Sequence, residues 1–62
     1  MATVDLEQFM IDARKGTGFT FNTFHTIFRY VNDRYFGNTL YKQIKSGEIL
    51  VDEVVRLMKG VM

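Results

Sequence analysis

The chain has 62 residues, with eight Lys and Arg against seven Asp and Glu for a formal net charge of +1, and it contains neither cysteine nor proline. A chain this short is expected to form a single domain over residues 1–62, and a domain of this size buries only about 60% of the surface its unfolded form exposes. There is no room for a cofactor domain beside a substrate domain. An apolar fraction of 47% with almost no net charge excludes disorder, and the lack of thiols excludes disulfide staples and thiolate metal sites.

No apolar run approaches the roughly 18 residues that span a bilayer. The start, Met1-Ala2-Thr3-Val4-Asp5, lacks the basic and apolar regions of a secretory signal, so the expected location is the cytoplasm.

Leu6, Phe9, Met10 and Ala13 fall at i, i+3, i+4 and i+7 and predict an amphipathic first helix from about Asp5 to Lys15. Asp5 and Glu7 at its start and Arg14 and Lys15 at its end suit the helix dipole, and Gly16 is the expected stop. The next stretch, Phe19 to Phe24, alternates apolar and polar residues as a strand would. Helical spacing wins, because Phe21, Phe24, Ile27, Phe28, Val31 and Tyr35 continue it for several turns while the alternation fails after Phe24. The second helix is predicted over Phe21 to Phe36, capped by Thr20, with Phe19 as a hydrophobic staple and Gly37 as the stop. Being the longest, it is the expected central element.

Asn38 is the expected cap of a short third helix over Thr39 to Lys45, which places Leu40 and Ile44 on one face and closes at Ser46-Gly47. Val51, Val54, Val55 and Met58 predict a fourth helix over about 51–60, with Asp52 and Glu53 in its first turn. Gly16, Gly37 and Gly47 each fall just beyond a predicted helix, and Gly60 falls at the end of the fourth, as expected of C-terminal stops. The expected fold is therefore all-α, a small irregular bundle of about four helices joined by short connections.

Chemistry has few candidates. His25 is the sole histidine and lies off the Phe21, Phe24, Phe28 stripe; one imidazole without cysteine makes a poor zinc site. Gly16-Thr17-Gly18 lacks the Gly-Lys-Ser/Thr of a phosphate-binding loop and reads as a helix connection. Asp52-Glu53 reads as first-turn charge rather than a catalytic pair. No catalytic, cofactor or metal residues are assigned, and no enzyme activity is expected.

Charge is distributed unevenly. From Arg14 to Lys45 there are six bases and one acid, a net +5, while the flanks carry six acids and two bases, a net −4. The basic middle supplies an alternative function, a small DNA- or RNA-binding regulator using Asn22, His25, Arg29, Asn32, Arg34, Lys42 and Lys45. A helix-turn-helix over Leu40 to Met58 fits poorly, because Asp52 and Glu53 would face phosphate.

The first expectation rests instead on an apolar surplus. Nine aromatics occur in this short chain, and Met1, Ile11, Tyr30, Leu50, Leu57, Val61 and Met62 lie outside the main stripes. Leu50, Val54, Leu57 and Val61 form a second stripe on the fourth helix, which needs neighbours on two sides or an exposed patch that marks an interface. The sequence therefore predicts a non-enzymatic interaction or regulatory protein with a protein partner and a homodimer contact at Tyr30, Leu50, Val54, Leu57, Met58 and Val61. No membrane or metal partner is expected, and the size would suit a phage or plasmid accessory protein.

Overall fold

Four helices account for most of the chain in the computed structural model, which describes residues 4–61. The apolar assignments of Met1 and Met62 lie outside the described residues. The elements are α1 (Leu6–Thr17), α2 (Phe21–Phe36), α3 (Leu40–Ser46) and α4 (Val51–Val61), with no strand among the described residues. The all-α architecture is as expected, and most element boundaries fall within two residues of the predicted ones.

Helix ends follow local chemistry. The Asp5 carboxylate accepts from the amide of Gln8, and the Thr20 hydroxyl accepts from the amide of Thr23, so α1 and α2 each begin with an occupied side-chain cap. Phe19, just before Thr20, is half-buried against the core, in the position of a staple. Gly37 and Gly47 adopt left-handed conformations and stop α2 and α3 as expected.

Gly16 and Gly60 do not act as stops: both are helical, and Gly18 at φ 72° closes α1. Gly16 is small for a different reason. A β-carbon there would lie 2.8 Å from Cγ2 of Val55, so the missing side chain lets α4 approach the backbone of α1. Thr17 is buried and extends α1 beyond Lys15. Its hydroxyl donates to the carbonyl of Arg14 and accepts from the amide of Phe19, filling both capacities at the bend between helices.

The α2–α3 corner is held by Asn32. Its backbone carbonyl accepts from the amides of Gly37 and Asn38, and its side-chain oxygen accepts from the amide of Leu40 at 3.0 Å. Asn38 is in a left-handed conformation and does not cap α3, contrary to expectation. Thr39 occupies the cap position but turns its hydroxyl back to the Phe36 carbonyl. Asn32 thus supplies from the preceding helix the cap that α3 lacks.

The core joins Phe9 and Ala13 of α1, Phe24, Ile27, Phe28 and Val31 of α2, Leu40 and Ile44 of α3, Ile49 of the α3–α4 connection, and Val54 and Met58 of α4. Packing is most extensive between α1 and α4, and α1 also touches α3 and α2. The long α2 is therefore not the element around which the backbones crowd. Ala13 and Gly16 let neighbours come close to α1, whereas the phenylalanines of α2 hold its neighbours at a greater distance.

Candidate functional site

Two of the six proposed interface residues are core. Val54 and Met58 are 0% exposed, which corrects their assignment as contacts for a partner. The reason lies in helix geometry. Leu57, Val54, Met58, Val51 and Val55 form one continuous arc about 160° wide rather than two stripes, and Val54 and Met58 sit at its centre. The flanks of that arc are partly open: Leu57 and Val55 are half-buried against the core, and Val61 is exposed. Tyr30 is half exposed on α2, and Leu50 is 64% exposed.

Leu50 breaks two local preferences. It immediately precedes α4 and its carbonyl accepts from the amides of Glu53 and Val54, so it stands at the N-cap. Leucine is among the poorest residues there, and this one also presents its side chain to water. Its neighbour Ile49 is buried. Asp52 and Glu53 follow in the first turn of α4, and the Glu48 carboxylate, held by the Ser46 hydroxyl at 2.7 Å, precedes it.

A second apolar surface opens between α1 and α2. Met10, Ile11, Phe21 and Phe24 line a crevice of about 90 Å3, with Arg14 and His25 completing its walls. Phe21 is 63% exposed, although the stripe on α2 places it with the core. It occupies the first position of α2, and Tyr35, exposed as well, occupies the last but one. Phe36, the last residue of α2, is by contrast half-buried against the core. The His25 ring lies 4.5 Å from that of Phe21, centroid to centroid, and edge-on to Phe24.

The polar face of α2 forms a broad open groove of about 610 Å3, bounded by His25, Thr26, Arg29, Tyr30, Asn32, Asp33 and Asn38. It brings together three of the seven proposed nucleic-acid residues: His25, Arg29 and Asn32. Asn22, Arg34, Lys42 and Lys45 are exposed but do not line it. Arg34 follows Arg29 by five positions, about 140° round the helix. The Asn32 side-chain oxygen is committed to Leu40, and Asp33 adds negative charge among the groove's bases.

Compared with protein-family models, curated proteins and solved structures, the chain matches none.

Among the described residues, no group of three or more His, Asp or Glu side chains converges as a metal site would require. No helix among the described residues is long and apolar enough to cross a membrane. Gly16-Thr17-Gly18 presents no open amide cradle, because Gly16 and Thr17 are helical and the Thr17 hydroxyl is occupied within its own turn. The crevice residues Ile11, Arg14 and Phe21 went unassigned at the sequence level. Ile11 carried a signal, since it lies off the α1 stripe. Phe21 did not, since its spacing matches that of the buried phenylalanines.

Proposed function

We infer that the chain is a cytoplasmic, non-enzymatic helical interaction protein that associates with protein surfaces, including its own, through exposed apolar and aromatic side chains. The observation that carries this reading is the exposure of Leu50 and Phe21, each close to two-thirds open at the start of a helix in a chain with little surface to spare. Leu57 and Val61 add apolar area on the flank of α4, and Tyr30 is half exposed on the opposite side of α2 from Phe21. Large apolar side chains are costly in water, and patches of them on small proteins mark association sites. Occupancy of a partner surface is the mechanism, and no bond is made or broken.

A second reading is supported by the groove beside Arg29, where His25, Tyr30 and Thr26 share a face with that cation. Such a face fits nucleic-acid backbone and stacked bases. Asp33 in the same groove and the wide dispersal of Arg34, Lys42 and Lys45 favour the protein-binding reading. Backbone amide shifts distinguish the two. On dilution of the chain alone, protein association moves the amides around Leu50, Phe21 and Leu57, and a DNA duplex or RNA oligomer leaves them still. Shifts confined to His25, Arg29 and Tyr30 on adding nucleic acid, lost as salt rises, would reverse the assignment.

A further inference from the structure

Leu50 and the α1–α2 crevice are complementary in shape class and in charge. Leu50 is a projecting aliphatic side chain, mostly exposed, and of the two acids in the first turn of α4 Glu53 lies about 60° from it round the helix. The crevice is a small recess with apolar walls from Met10, Ile11, Phe21 and Phe24, and its polar members are the base Arg14 and the imidazole of His25. Helix α2, which begins at the crevice, carries no acid in its first turn. The exposed leucine is thus edged by an acid, and the recess by a base.

We propose that one copy of this chain inserts Leu50 into the Met10–Ile11–Phe21–Phe24 crevice of a second copy, with Glu53 meeting Arg14 across the contact. This rests on the protein-association reading above and names the partner and the residues. Leu50 is not among the residues that line the crevice, so knob and recess are different patches of each copy. Reciprocal insertion closes a two-fold dimer; one-way insertion leaves a free crevice on one copy and a free knob on the other and extends to a ring or a chain. Either form weakens with salt because its charged pair lies at the rim. Insertion also accounts for leucine at an N-cap: a locally poor residue is retained where it serves a contact.

The two halves can be disabled separately without touching the core. Leu50→Ser removes the knob and installs a favoured cap residue, so helix content and Tm hold or rise. Ile11→Lys blocks the crevice at an exposed position of α1 with a good helix former. Circular dichroism checks that both variants fold. In sedimentation velocity the unaltered chain should gain weight-average mass with concentration, to at least twice the chain mass. Each variant alone should stay at the chain mass. Their equimolar mixture should form a species of twice the chain mass and no larger, since one free crevice and one free knob remain to pair.

A mixture that stays monomeric while the unaltered chain associates overturns the insertion of Leu50 into the crevice but leaves protein association standing. So does association that neither substitution weakens. An unaltered chain that is monomeric at every concentration overturns the proposal of self-association altogether.

Discussion

Replacing Gly16 by alanine should destabilise this protein, although glycine inside a helix is ordinarily a weakness. In an unobstructed helix the change gains up to about 1 kcal/mol, because alanine has the higher propensity. Here the new β-carbon would lie 2.8 Å from Cγ2 of Val55, with Cγ1 at 3.5 Å. Carbon atoms pack best at about 3.5–4.0 Å, so the contact must open by roughly 0.7 Å. Val55 relieves it poorly, because a β-branched side chain in a helix has essentially one χ1 rotamer. The alternative is to move α4 away from α1, across the most extensive helix contact in the fold. Overpacking of this kind costs about 1–3 kcal/mol. Set against the propensity gain, a net loss of about 1 kcal/mol is expected, which for a domain this small lowers Tm by about 4–8 °C.

A double-mutant cycle isolates the contact. In a Val55→Ala background the obstruction is gone, so the same Gly16→Ala change should become stabilising, with a coupling of about 1–2 kcal/mol between the sites. Thermal and urea unfolding of the four proteins measure it. An equal gain from Gly16→Ala in both backgrounds would refute the close approach of α1 and α4.

Gly60, helical and with open space within 4 Å of the point a β-carbon would occupy, is the matched control: Gly60→Ala should raise stability by up to about 1 kcal/mol, checked in the same unfolding series. Asn32→Ala should cost about 1–2 kcal/mol by leaving the Leu40 amide without its partner, and Asn32→Asp, which keeps an acceptor oxygen, should recover part of it. Thr17→Val removes the acceptor of the Phe19 amide and should lose about 1–2 kcal/mol, whereas Thr17→Ser should lose less; a larger loss from Thr17→Ser than from Thr17→Val would show that the methyl matters rather than the hydroxyl. Met58→Ala in the core should cost about 2–5 kcal/mol, enough to unfold much of a small domain, and a Met58→Ala protein with unchanged Tm would place that side chain outside the core.

The elements were legible in the sequence because local signals agreed. Thr20 as a cap, Gly37 as a stop and the phenylalanine spacing between them bound α2 at both ends as expected. The errors occur where a residue answers to something distant in the chain. Gly16 looks like a helix stop, and its actual constraint is Val55, on another helix. Asn32 looks like a polar surface residue on α2, yet it caps a helix that begins eight positions later. Asn38 offers a suitable cap side chain, but the turn after Gly37 puts its backbone in the left-handed region.

The apolar surfaces were legible by composition and not by position. An apolar surplus was evident, but Ile49 and Leu50 are chemically alike neighbours, and only the path of the α3–α4 connection decides that one is buried and the other exposed. Val54 and Met58 were misassigned because an arc wide enough to hold two stripes was divided at its centre. Phe21 was hidden by the regular spacing of α2, at whose first position it stands. The groove on α2 was partly foreseen, since His25, Arg29 and Asn32 recur three and four positions apart and share a face.

Association through the apolar surface is tested most simply by the mass of the chain, read by light scattering during size-exclusion chromatography. Loading concentration is varied at low and moderate salt, with and without a mixed-sequence DNA duplex and an RNA oligomer. Apolar association predicts a mass above that of one chain which rises with concentration and is indifferent to nucleic acid. A single-chain mass at every concentration, joined by a nucleoprotein species that disappears as salt is raised, would contradict it and transfer the function to the groove beside Arg29.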